Sequence, residues 1–267
     1  MSIYDQPNSY ECGPFALKHA LLVLGVFESE RRLARLAGTD RGGTDEAQLA
    51  RAAQRLGFEL PTERVHDARE ARRALSERLG AGNPVLLCVD QWEHWITVAG
   101  ESDGRLVVFD SAVPGVVHVV EWDALCARWA FRQGGPRDQV EELFDLNPLI
   151  PRITVPARAR LAPDVALRLA NGGQRELVRD WSQHARDLLD LSRAHRGEVG
   201  HPDTVPLATL LDELTARPTT SGDGHSDRGR VIGRLRLVSA TYGLAVGRRA
   251  ARLVLRELAD VVRRLSR

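Results

Sequence analysis

The stretch "DQPNSYECGPFALKHALLVLG", Asp5 to Gly25, sets a lone cysteine before Gly-Pro at the head of an apolar run. From Cys12 onward, apolar residues recur at helical spacing: Phe15, Leu17, Ala20, Leu21 and Leu24. Pro14 falls in the first turn, where a missing N–H leaves no helical partner wanting. A thiol attacks as the thiolate, which is a minor species at neutral pH for an unperturbed cysteine. A helix N-terminus favours that anion through its partial positive charge and its free N–H groups. Cys12 is therefore a candidate nucleophile; the bland alternative is a small buried hydrophobe.

Working outward, "ESERRLARLAG", "TDEAQLARAAQRLGF" and "DAREARRALSERLGAG" read as amphipathic helices, each stopped by glycine. The texture then changes. "NPVLLCVD", "HWITVAGES", "RLVVFDSA" and "GVVHVVEW" are β-branched runs cut by turn signals, with "SDGR" a hairpin turn. "WDALCARWAF" returns to helix. Helices followed by a small antiparallel sheet predict an α+β fold.

A nucleophilic cysteine needs a base and a group to orient that base. Among eight histidines, His94 is the best placed, because it opens the strand "HWITVAG" after the loop "DQWE". The return strand "RLVVFD" ends at Asp110, so the two side chains are expected at one end of paired strands. Gln6 is near enough in sequence to offer its amide to an oxyanion beside the Cys12 N–H. His19, inside the cysteine helix, and His118, mid-strand, are poorer bases. Cys88 reads as a strand core residue and Cys126 as a helix packing residue. No cofactor is expected, and no Cys-x-x-Cys or helical His pair suggests a metal.

Gln6-x5-Cys12-Gly13-Pro14, then His94-Trp-Ile-Thr-Val, then Val-Val-Phe-Asp110-Ser111 resembles the papain-like cysteine peptidase superfamily. It is most similar to the bacteriocin-processing branch that cuts double-glycine leaders. Asp110-Ser111 replaces that branch's usual Asp-Pro, and Glu93 stands where a small residue is commoner. The resemblance implies a papain-like domain over residues 1–135 that cleaves a peptide or isopeptide bond after Gly or another small residue. Its implied catalytic set is Cys12, His94 and Asp110, with Gln6 as oxyanion donor. An acyltransferase using the same triad is compatible with these residues, as is a binding or scaffold protein on a peptidase-like fold.

Residues 136–162, including "FDLNPLIPRITVPARARLAP", read as a proline-rich connector. Residues 163–267 read as an all-helical domain, with helices near 163–195, 204–216 and 230–266 and a mobile polar tract near 217–230. Arg196-x4-His201 loosely resembles the Arg/His motif of HEPN domains, which implies a helical bundle and, as an alternative site, RNA cleavage. The last helix has one apolar face, Ala251, Val254, Leu258, Val261 and Leu265, suited to bundle packing, a protein partner or self-association. The scarcity of aromatics there argues against nucleic acid as a partner.

Residues 1–150 carry 16 basic and 23 acidic side chains, a net −7, whereas 151–267 carry 21 and 13, a net +8. Three scattered cysteines give no disulfide framework, the start lacks a secretory pattern, and no apolar run reaches membrane length. The chain reads as cytoplasmic, with a peptide or protein as substrate.

Overall fold

The structure, a computed structural model, describes residues 3–134, 140–170, 175–195, 203–216 and 225–266. They form two compact units, Met1–Arg179 and Asp180–Arg267. The first opens with α1 (Cys12–Val23), α2 (Glu30–Ala37) and α3 (Glu46–Arg55). Local chemistry sets their ends. The Ser29 hydroxyl accepts the Arg32 N–H, Gly38 closes α2 in the left-handed region (φ 78°), and Asp45 and Gln48 form a reciprocal capping box on α3.

The chain continues through β1 (Phe58–Glu59), β2 (Glu63–Val65), α4 (Ala68–Gly80), β3 (Val85–Val89), β4 (His94–Ser102), β5 (Arg105–Phe109) and β6 (Val117–Glu121). It then runs through α5 (Trp122–Trp129), β7 (Phe131–Gly134), β8 (Val140–Pro148), β9 (Ile150–Pro151) and α6 (Pro163–Ala170). The main sheet is antiparallel in the order β2-β8-β3-β4-β5-β6, and β7 pairs with β8. As expected, Asp103-Gly104 turns β4 into β5, both residues having positive φ (53° and 75°).

Every residue of β3 is buried, and period-two alternation divides them between two cores. Leu86 and Cys88 join α1, α2 and α3 in one cluster, while Val85, Leu87 and Val89 join residues of α4 and α5 in the other. The sheet is thus covered on both faces. All twelve residues of α1 are buried, so its position is fixed on every side.

The segment expected as a connector differs from that reading: β8 lies inside the sheet, between β2 and β3. Its alternation was masked by polar residues. Phe144 and Leu146 enter one core, whereas buried Asp145 and Asn147 face the other way with their polar atoms satisfied. Arg64 Nε and Nη2 each donate to the Asp145 carboxylate at 2.7 Å. Thr62 Oγ1 donates to Asn147 Oδ1 at 2.7 Å, and Asn147 Nδ2 donates to the Leu86 carbonyl at 3.2 Å.

The second unit takes in α7 (Arg175–Ala194) from Asp180 onward, then β10 (Thr204–Pro206), α8 (Leu207–Ala216), α9 (His225–Thr241), β11 (Ala245–Gly247) and α10 (Ala251–Leu265). The expected single helix over 230–266 is broken at Gly243 (φ 60°), after which β11 pairs with β10. Within the tract expected to be mobile, 225–230 are helical, and 217–224 lie outside the described residues. The buried stripe of α10 is Val254, Leu255, Leu258 and Val262, a slightly rotated version of the expected face. Among the described residues, no helix is long and apolar enough to cross a membrane.

Gly100 in β4 lies against the chain at Leu161, where an added Cβ would press into the Leu161 carbonyl oxygen. Gly100→Ala is therefore expected to destabilise the first unit by about 1–3 kcal/mol, as overpacking against backbone does. Urea unfolding followed by tryptophan fluorescence would measure this.

Candidate active site

Cys12 is the first residue of α1, and no side chain caps that helix end. Just upstream, the Asn8 side-chain oxygen accepts the N–H groups of Tyr10 and Glu11 at 3.2 and 3.1 Å, which shapes the entry into the helix. Gly13 is needed for space: a Cβ there would come within 2.9 Å of the Thr44 side chain. Thr44 is itself fixed by its carbonyl, which accepts the Trp95 indole N–H at 2.8 Å.

Residues 97 and 109 are opposite each other in the β4–β5 ladder, so the start of β4 and the residue after β5 share one sheet end. His94 Nε2 meets Asp110 Oδ1 there at 2.7 Å. The Cys12 thiol is near enough to the same imidazole for the two to shift each other's protonation, and Nδ1 is the ring nitrogen that Asp110 does not engage. The structure thus brings Cys12, His94 and Asp110 together.

The carboxylate of Asp110 is 1% exposed and well supplied with donors. Besides His94, it accepts Arg128 Nη1 at 2.9 Å and the Ala112 N–H at 3.1 Å. Burial opposes its charge, but His94 and then Arg128 outweigh that and hold its pKa down to about 2. Burial likewise opposes charge on His94, yet the bonds to Asp110 and Cys12 raise its pKa to about 9. For Cys12, burial favours the neutral thiol; His94 and the backbone N–H groups of Trp95 and Gly13 reverse this, leaving its pKa lowered. An imidazolium–thiolate pair is what these opposing shifts favour.

Gln6 is held in register with the aspartate's neighbour. Its N–H donates to the Ser111 carbonyl at 2.8 Å, and Ser111 Oγ donates to Gln6 Oε1 at 2.7 Å. The amide Nε2 then points the other way and gives one hydrogen to the Asn8 carbonyl at 2.7 Å. Ser111, which stands where proline is commoner, therefore fixes which end of that amide can donate.

The other candidates are elsewhere. His19 is fully buried, its ring nitrogens without hydrogen-bond partners, stacked on Phe109 at 5.0 Å. His118 lies on β6 with Nε2 buried and unpartnered. Cys88 sits in the core, where burial pushes its thiol pKa up. Arg196 and His201 lie outside the described residues. Among the described residues, no group of three or more His, Cys, Asp or Glu is placed to hold a metal ion. Neither Arg128 nor Ser111 is marked by the sequence: one arginine among many carries no signal, and Ser111 reads only as a departure from Asp-Pro.

Residues 1–118 match the Peptidase C39 family. Two uncharacterized proteins are similar over 45% of this chain and 87% of their own length. One, from Methanothermobacter marburgensis, is 37% identical over 126 residues. The other, from Methanothermobacter thermautotrophicus, is 34% identical over 125. Among solved structures, the peptidase domain of Streptococcus ComA, a bifunctional ABC transporter of a quorum-sensing pathway, aligns at 21% identity and a TM-score of 0.41, covering 56% of this chain and 98% of that one. A double glycine motif protease from an AMS/PCAT transporter, in complex with leader peptide, aligns at 15% identity and a TM-score of 0.39, covering 55% and 90%. The chain belongs to the Peptidase C39 family and is a cysteine peptidase.

The opposite shifts of the three thiols lead to a measurable contrast. Iodoacetamide near neutral pH should label Cys12 well before Cys88, and His94→Ala should slow Cys12 labelling by raising its pKa. Mass-spectrometric mapping of labelled peptides against time would check both.

Proposed function

We propose that this chain hydrolyses a peptide or isopeptide bond through Cys12 as nucleophile, His94 as acid and base, Asp110 as the group that orients the imidazole, and Gln6 as oxyanion donor. The observation that carries this reading is the imidazole of His94 set between the buried Asp110 carboxylate and the thiol at the helix head. The Cys12 thiolate attacks the scissile carbonyl carbon, and the carbonyl electron pair moves onto oxygen. The Cys12 N–H and the second Nε2 hydrogen of Gln6, by count still available, are suited to take that charge. The His94 imidazolium protonates the leaving amine, which departs and leaves a thioester. Neutral His94 then accepts a proton from water as it attacks, and collapse returns the acid product and the thiol.

The motif Gln6-x5-Cys12-Gly13-Pro14 supports a substrate with glycine or another small residue before the cleaved bond, as in double-glycine leaders. Three unbridged cysteines among the described residues suit a reducing, cytoplasmic setting. Residues 163–267 would serve substrate or partner contacts.

A synthetic peptide whose leader ends in Gly-Gly tests the reading. Cleavage after the second glycine is expected, with loss of turnover in Cys12→Ala and in a peptide with Leu at that position. Gln6→Ala should lower kcat by about 10²–10³-fold, the usual loss for one oxyanion donor. An intact Gly-Gly peptide, or a Cys12→Ala variant that still cuts it, would defeat the assignment.

The pH dependence follows in sign. Turnover needs the imidazolium to protonate the amine, so it should fall as pH rises through about 9, where His94 loses its proton. On the acid side it should fall as Cys12 is protonated, below the ordinary thiol value. Initial rates across pH would trace both limbs.

A further inference from the structure

Three successive residues before His94 have left-handed backbone, and none is glycine: Asp90 (φ 55°), Gln91 (φ 60°) and Trp92 (φ 65°). L residues avoid this region, so such a turn persists only where its surroundings over-determine it. The Asp90 N–H donates to the Arg128 carbonyl at 2.7 Å. Arg128 Nε and Nη2 donate to the two Asp90 carboxylate oxygens at 3.0 and 2.7 Å. Gln91 Nε2 donates to the Ala130 carbonyl at 3.1 Å, and the Arg132 N–H donates back to Gln91 Oε1 at 3.3 Å. The Trp92 ring stacks on Phe131, centroids 3.7 Å apart and planes within 8°. All these ties lead to one short segment, 128–132, at the junction of α5 and β7. From that same segment, Arg128 Nη1 reaches Asp110 Oδ2 at 2.9 Å.

We propose that Arg128 is a positioning residue: its guanidinium clamps the Asp110 carboxylate and the left-handed turn that delivers His94 into one register. The Nε2–Oδ1 bond then points the imidazole at Cys12. This rests on the triad reading above and adds the part that sets its geometry. The groups facing Asp110 are His94 from β4, Arg128 from α5, the Ala112 N–H and, without a hydrogen bond, His19 from α1. The planar fork gives Asp90 a bidentate contact and still has Nη1 for Asp110; a lysine ammonium, a point charge without that fork, cannot reproduce the bidentate contact.

Charge and positioning predict opposite signs, which makes the clamp testable without a known substrate. The probe is iodoacetamide, with the Cys12 alkylation rate measured against pH in the full chain. Asp90→Asn removes a negative charge next to Arg128, so an electrostatic effect alone would favour the thiolate and move the acid-side inflection down. Release of the clamp would let the imidazole drift from the thiol and move the inflection up. We expect a rise of about one pH unit in Asp90→Asn, a tenfold loss of rate below the inflection. Arg128→Gln should rise at least as far, Arg128→Lys should rise less, and Asp90→Asn combined with Arg128→Gln should go no further than Arg128→Gln alone. An inflection that stays or falls in Asp90→Asn overturns the proposal. Should Arg128→Gln fail to fold, the isosteric Asp90→Asn and the charge-preserving Arg128→Lys still decide it. His94→Ala keeps the two readings apart. Wild-type alkylation in His94→Ala removes the triad itself, whereas a changed profile there with a silent Asp90→Asn removes only the clamp.

Discussion

The buried charge of Asp110 is the constraint on which the site depends. A carboxylate taken out of water must find opposite charge and donors nearby, or it gives up its ionisation. Here the donors come from three places in the chain: the imidazole of β4, the guanidinium at the end of α5, and the N–H of the turn after β5. The α5 segment and the loop before β4 are thereby anchored to one atom group. The sheet supplies the platform: because β4 and β5 are antiparallel neighbours, the start of one and the end of the other meet without any long loop.

The opposite side of the site is set by packing. The whole circumference of α1 is buried, so its N-terminal thiol has one available position relative to the sheet. That burial carries a cost at Lys18, which is 3% exposed. Glu30 offsets it through an ion pair at 3.1 Å, and the Tyr4 ring lies 4.1 Å beneath the ammonium. Thr97 Oγ1 further ties the sheet to the helix by donating to the Ala16 carbonyl at 2.7 Å. Cys12 and His94, the proposed nucleophile and base, therefore stand on two packed elements, which hold side chains more closely than loops would.

What could be read from the sequence follows from how local each signal is. Cys12 announces itself by helical periodicity and Pro14, and His94 and Asp110 by strand boundaries and the Asp103-Gly104 turn between them. These depend on neighbours in sequence, so the peptidase half was legible. The strand β8 was not, because Asp145 and Asn147 look like loop residues until Arg64 and Thr62, at the neighbouring strand β2, are seen satisfying them. Arg128 is invisible for the same reason: its meaning lies in Asp90 and Asp110, 38 and 18 residues away. The turn at Asp90–Trp92 is harder still, since tryptophan gives no hint of left-handed backbone, and the hydrogen bonds of Asp90 and Gln91 and the stacking on Phe131 that sustain it all come from a segment 38 to 41 residues on.

The two histidines that feel Asp110 show how burial divides the chemistry. His94 is bonded to the carboxylate directly, and its pKa is raised to about 9. His19 feels the same negative charge, but desolvation comes first and the neighbouring Lys18 adds to it, pushing its pKa down to about 3. At neutral pH one ring holds its proton and the other cannot. The charged partners of the carboxylate are therefore His94 and Arg128, and His19 adds no second imidazolium from inside the helix. Environments that drive two like groups apart in this way assign the roles that residue type leaves open. His19, stacked on Phe109 with no hydrogen-bond acceptor, is held neutral, whereas His94 keeps its proton through Asp110 and Cys12.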